Sequence, residues 1–378
     1  MKIIVLVLIA VAATALSGCG RRPIVIGFQG PLTGPPAELG VQGRNGAQLA
    51  VEQINDGGGV RGQALRLDPR DDRNRREVAY EVVRAFQEAD VEVVIGPMTS
   101  VAGLAVAEQV AETGPLYVSP TVSTPKVSGR DDFFLRLQAA TDRPAMVLGS
   151  YAVQELGAER VVVIADTTNS EYSTPFVDAF SEGLGAYGGE VVVQFDAPMS
   201  ATSRRRSMMQ AIAAENPDTV LIVASATDSA RFSQVVRDAE PEVLILGSGW
   251  AATETLPTMG GASVEGMVLA RMSYRALGST SQGSEFYRRF RRRFGRAPSF
   301  AASRAYDAVM VVARALNNVT ADAADLRREL AALNRFETLL GPVTFNSTGD
   351  VEPSAAIIRV EGGEFVEIAE YGTGLREP

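Results

Sequence analysis

From Ile24 to Leu246 the chain repeats one rhythm, a short apolar run followed by a longer stretch whose apolar positions are spaced for a helix. Ile24–Phe28 precedes a helical stretch over 38–55, Leu65–Leu67 precedes 77–89, and Val93–Ile95 precedes 101–112, with Leu116–Ser119 closing the series. Short apolar strands separated by helices of ten or so residues describe parallel βαβ units whose sheets are covered on both faces. Phe133–Leu137 reads as a strand leaving this first unit. The rhythm then restarts with Val161–Ile164, Val191–Val193, Val220–Val223 and Leu244–Leu246, each trailed by a helical stretch. Two α/β lobes in succession are the economical reading.

The last third does not continue the pattern. Residues 284–294, 299–316 and 323–333 are helical by periodicity, with breakers at Pro298 and Gly341-Pro342, and strands follow at Val343–Phe345 and Ala356–Val360. Helices without a matching set of strands must pack on something already built. The chain is therefore expected to return to the first lobe and then cross again, giving an N-terminal lobe of 23–138 plus 272–344 and a C-terminal lobe of 139–271 plus 345–378.

The N-terminus reads as an export signal. Lys2 is a charged start, Ile3–Ala13 is an almost unbroken apolar run, and mostly small residues lead up to Gly18. That run is shorter than the about 20 apolar residues a helix needs to span a bilayer, so residues 1–18 are expected to be removed. Leu16-Ser17-Gly18-Cys19 matches the bacterial lipobox, which makes Cys19, the chain's only cysteine, the lipid-modified first residue ahead of a short linker over 19–22. A multiply acylated cysteine stays on the membrane, so the expected state is exported and anchored, with lipid as the only membrane contact. The net charge of −9 disfavours nucleic acid as a partner.

The chain has no histidine, which removes the commonest general base and the commonest metal ligand together. Ser-His-Asp, Cys-His and His-ligated zinc sites are all excluded. Ser123-Thr-Pro-Lys126 fits the S-x-x-K acylating motif, but no lysine follows Lys126 to complete it. Asp71-Asp72 before Asn74 reads as loop and helix cap, Gly57-Gly-Gly59 as a helix C-cap, and the arginines of 288–293 as the solvated face of an amphipathic helix. No cofactor, metal or catalytic residue is expected.

Three stretches carry a resemblance that runs in order over nearly the whole chain. "IVIGFQGPLTGPPAELGVQGRNGAQLAVEQINDGGGVRGQALRL" from Ile24, "VVIGPMTSVAGLAVAEQVAETGPLYVSPTVSTP" from Val93 and "FYRRFRRRFGRAPSFAASRAYDAVMVVARAL" from Phe286 resemble the type I periplasmic solute-binding proteins, the family of leucine/isoleucine/valine receptors that serve ABC importers. The resemblance implies two Rossmann-like lobes joined by a three-segment hinge, a ligand in the cleft between them, an ABC permease as partner and a monomeric state. It also implies a ligand carboxylate held by the positions of Ser100, Thr121 and Ser123, and a tyrosine, here Tyr172, closing from the second lobe.

The residues alone support a cleft binder, because ligands of open parallel sheets sit beyond the carboxyl ends of the strands, where helix N-termini present free N–H groups. Thr99 and Ser100 lie in one such turn and Thr121 and Ser123 in the next; capping of the following helices is their plainer role. Tyr172 reads equally as a packing residue, and Asp228 as a helix N-cap. Where amino-acid receptors of the family carry an acid for the ligand's ammonium, this chain has Gly249 and its only tryptophan, Trp250, and Leu39 replaces an aromatic. A buried ammonium without a partner is costly. The expected solute is thus an amino acid, carboxylate or amide, with the weight on a carboxylate, amide or aromatic acid; the alternative is an envelope lipoprotein that uses the fold to bind a protein partner without ligand.

Overall fold

The computed structural model describes residues 22–197, 205–320, 322–333, 335–352 and 354–372. The signal segment, Cys19 and the extreme C-terminus lie outside them. The first sheet takes β1 (Ile24–Gly30), β2 (Leu65–Asp71), β3 (Val93–Ile95), β4 (Leu116–Ser119) and β5 (Phe134–Arg136) in the order β2-β1-β3-β4-β5, every pair parallel. The crossovers are α1 (Ala37–Asp56), α2 (Arg76–Glu88) and α3 (Ser100–Gln109). The run at 133–137 does not leave this unit: Tyr117, Val118 and Ser119 pair with Phe134, Leu135 and Arg136, so it forms the sheet's edge.

The second sheet is larger. It holds β6 (Arg160–Asp166), β7 (Glu190–Ala197), β8 (Thr219–Val223), β9 (Leu244–Ser248), β10 (Val268–Arg271), β13 (Ala355–Glu361) and β14 (Glu364–Tyr371), in the order β14-β13-β10-β9-β8-β6-β7. Its helices are α4 (Asp142–Leu156), α5 (Ser170–Gly185), α6 (Arg205–Glu215), α7 (Ala226–Ala239) and α8 (Thr255–Gly260). Strands β6 to β10 run parallel, whereas β13 is antiparallel to β10 and β14 to β13. The sequence pattern had not singled out β10, only four residues long, or β14, where Glu364, Glu367 and Glu370 interrupt the apolar signal.

The helices of the last third are α9 (Ser281–Phe294), α10 (Phe300–Leu316) and α11 (Ala323–Ala332), followed by a hairpin of β11 (Phe336–Thr338) and β12 (Gly341–Val343). Phe286, Phe290, Tyr306, Val309, Leu326 and Phe336 share one buried cluster with Ile26, Phe28 and Ile95 of the first sheet. Phe345 and Val351 belong to that cluster as well, and Asp350 pairs with Arg136 of β5 at 2.6 Å. The apolar side chains of Phe345 and Val351 are thus buried with the first sheet, whereas Ala355–Glu361 is a strand of the second.

Each half is sealed by a helix pair meeting through glycine. A Cβ at Gly46 of α1 would lie 1.9 Å from the Ala302 carbonyl oxygen of α10, and one at Gly183 of α5 would lie 2.1 Å from the Met146 oxygen of α4. Both are closer than any real Cβ contact, so these backbones touch only because neither residue has a side chain. One capping detail differs from expectation: Ser225 caps α7 by accepting the Asp228 amide, while the Asp228 carboxylate accepts the Ser225 hydroxyl at 2.9 Å.

Candidate ligand-binding site

A cavity lies between the two sheets, at the carboxyl ends of their parallel strands. Leu39, Ser100, Thr121, Ser123, Tyr172 and Trp250, which lie far apart in sequence, all line it. Thr99 does not; its side chain is buried, with a hydroxyl that has no hydrogen-bond partner among the described residues.

The first-sheet wall is made of hydroxyls on two adjacent turns. The Ser100 hydroxyl accepts the Ser123 amide at 3.4 Å, which ties the turns together, and Thr121 donates its hydroxyl to the Met98 carbonyl at 2.6 Å. Ser119 fixes the second turn by donating to the Pro97 carbonyl and accepting the Val122 amide. These residues sit there because β3 and β4 end within the sheet while the chain must turn into the next segment. Ser100 is the first residue of α3, whose free N–H groups and dipole favour negative charge.

The opposite wall is aromatic. Tyr172 and Trp250 are each 8% exposed and meet edge to face with ring centroids 5.6 Å apart, and Phe176 stacks behind Tyr172 at 5.9 Å. Burial pushes the Tyr172 hydroxyl above its usual value. Both readings of Tyr172, packing residue and cavity wall, thus describe the same ring.

Several lining residues had no sequence signal of their own. Asn169, three residues before Tyr172, accepts the Val101 amide on its Oδ1 at 3.2 Å, so the second half caps α3 of the first. Gln138, Thr141, Arg271, Tyr274 and Phe300 come from segments that pass between the halves or pack over the cleft. No aspartate or glutamate lines the cavity among the described residues. The space between the walls is about 50 Å³, so a solute larger than a few waters fits only when the walls move apart.

Polar contacts bridge the two halves around this cavity. Lys126 pairs with Glu171 at 2.7 Å, Asn74 donates to the Thr168 carbonyl at 2.7 Å, and Glu38 accepts the Thr255 hydroxyl while lying 3.3 Å from Arg296. The S-x-x-K lysine therefore engages a carboxylate across the cleft. Asp71 accepts backbone amides of Leu32 and Arg73, and no group of acid or cysteine side chains among the described residues is arranged to hold a metal.

The comparisons with known proteins agree on the architecture. A family model described as "Periplasmic binding protein" matches residues 23–364. The Leu/Ile/Val-binding protein BraC3 of Rhizobium johnstonii is 26% identical over 369 residues, covering 94% of this chain and 96% of that one. A leucine binding protein LivK from Thermotoga maritima superposes with a TM-score of 0.81 at 24% identity, covering 92% of this chain and 99% of the other. A solute binding protein of an ABC transporter from Rhodopseudomonas palustris, solved with 3,4-dihydroxy benzoic acid, gives 0.80 at 22% identity, covering 93% and 98%. At those identities the solved structures show the shared fold alone.

Proposed function

Because this chain belongs to the periplasmic binding protein family, we propose that it is a lipid-anchored extracytoplasmic receptor that closes two lobes over a small solute and hands it to an ABC permease. The observation that carries this reading is the single cavity into which hydroxyls of one half and rings of the other converge. The N-terminal lobe comprises 23–138 plus 272–351 and the C-terminal lobe 139–271 plus 352–378, joined by three crossings. Closure is a population shift, in which solute bridging Ser100, Thr121 and Ser123 to Tyr172 and Trp250 favours the closed arrangement. Leu39 contributes an apolar side to the same space.

The solute is an organic acid or amide rather than a free amino acid, since the wall offers no carboxylate to an ammonium. The relatives cover both chemistries by name, leucine, isoleucine and valine on one side and a benzoic acid on the other. Cys19 carries the lipid, and the receptor works as a monomer. Native mass spectrometry of the chain starting after Cys19, then denaturation and identification of what it released, tests the reading. A stoichiometric small molecule supports it. An empty protein that shows no thermal shift with acids, amides, amino acids or sugars, and that crosslinks to one envelope protein, replaces it with the ligand-independent alternative.

A further inference from the structure

The cavity is one-sided in charge: Arg271 is the sole charged residue lining it among those described. Its guanidinium lies 3.7 Å from the centroid of the Tyr274 ring. Nη1 donates to the Met272 carbonyl at 2.9 Å and Nη2 to Glu367 at 3.1 Å. A guanidinium has five N–H donors, so these bonds leave three. Glu367 reaches it from β14 on the outer side, its side chain 40% exposed, while the Arg271 side chain is 13% exposed.

A second cation stands behind the first. Arg304 of α10 lies 5.9 Å from the same Tyr274 ring, is 2% exposed, and has no hydrogen-bond partner for its Nε and Nη1 among the described residues. Asp307 faces it, yet burial pushes that carboxyl up to about 7, so it is a partial counter-charge. Two guanidiniums against one ring, with donors to spare, make this end of the cleft strongly attractive to an anion.

Gly249 is what lets Arg271 occupy the place. A Cβ at 249 would lie 2.9 Å from the Arg271 Cβ and 3.0 Å from the Ala270 oxygen. Any side chain there, an acid included, would press on the backbone that carries Arg271.

We propose that Arg271, with Arg304 behind it, forms an anion subsite, and that the solute is an acid without an ammonium that carries a second acceptor group. One acceptor lies at the Ser100, Thr121 and Ser123 wall, the other at Arg271, and the apolar middle rests on Leu39, Trp250 and Phe300. Arg271 can only donate, so a zwitterion whose carboxylate sits at the hydroxyl wall would bring its ammonium toward a guanidinium. This inference rests on the receptor reading above and adds the charge pattern of the solute.

Two matched pairs test it, succinate against butyrate and terephthalate against benzoate, with leucine as the zwitterion. Calorimetry and the fluorescence of Trp250 give independent readouts. The expected result is a preference of about tenfold or more for the diacid in at least one pair, lost in Arg271→Gln while the monoacid's affinity is kept. Glu367→Gln frees the guanidinium and should tighten diacid binding several-fold, which keeps the test informative if the arginine variant does not fold. Equal affinities within both pairs, or a diacid preference that survives Arg271→Gln, overturns the subsite. Leucine binding more tightly than every acid overturns it and leaves the receptor reading standing; no response to any of the five counts against both.

Discussion

The two lobes use the same joint and assemble it differently. In the C-terminal lobe the glycine contact joins α4 and α5, consecutive helices. In the N-terminal lobe it joins α1 to α10, helices from opposite ends of the chain. One joint closes from local chain; the other cannot close until the last third has arrived, a high-contact-order arrangement, although the C-terminal lobe too waits for Ala355–Glu361 to complete its sheet. The lobes differ in charge as well. Asp72 and Asp307, both lifted to about 7 by burial, and Asp132, lifted to about 6, all lie in the N-terminal lobe. The lobe with the long-range joint thus also holds these three raised carboxyls.

The largest expected effect comes from breaking each joint. Gly46→Val should cost at least about 3 kcal/mol, because a backbone clash inside a packed helix pair has no rotamer escape. Gly183→Val should cost a similar amount. Amide hydrogen exchange distinguishes them: the first variant should lose protection in β1, β3 and α10 and the second in β6 and α5. Loss of protection across the whole chain in both variants would mean that the lobes fold as one unit.

The second effect is a pH dependence carried mainly by the N-terminal lobe. Unfolded, Asp72 and Asp307 release their protons near the ordinary 3.8; folded, they hold them to about 7. In that window the folded state binds more protons, so stability is full below about pH 4 and falls as pH rises toward 7. The slope should be on the order of 1 kcal/mol per pH unit for each of the two groups. Urea unfolding between pH 5 and 8 measures it, Asp307→Asn should flatten it, and a rise of stability with pH would contradict the assignment.

Smaller effects separate the two cavity walls. Ser100→Ala and Tyr172→Phe should each weaken solute binding by roughly tenfold, the loss from both falling short of the product if they hold one ligand. Tyr172→Phe keeps the ring that packs on Trp250 and Phe176, so calorimetry reads the hydroxyl and not the core. Glu38→Gln, at the rim, should change affinity by no more than about threefold.

The hydroxyl wall was legible in the sequence because each turn is made by residues that follow one another at the end of one strand. Ser100 and Ser123 needed no distant partner to be noticed. Arg271 and Tyr274 gave no such signal: an arginine ending a four-residue strand looks like surface until Gly249, just past the end of the neighbouring strand β9, is seen to lie against it. Gly249 reads in the sequence as a missing acid, whereas in space it admits a cation. Thr99 shows the converse error. Its type and position match Ser100, but only one of two consecutive side chains can point into the cavity, and the chain turns Thr99 inward. The return of α9 to α11 to the first lobe followed from counting strands, while the exact crossing depended on where Phe345 and Val351 found cover.

Lys126 is the only lysine beyond Lys2, and it meets Glu171 across the mouth of the cleft. Past the signal segment, the chain thus has one ε-amine, placed where the lobes part. With the N-terminal amine blocked, an acylating reagent should mark this protein once, at the rim. The rate of that marking follows the time the amine spends away from its carboxylate, so a single chemical label becomes a stopwatch for opening, readable in an intact-mass spectrum without any engineered probe.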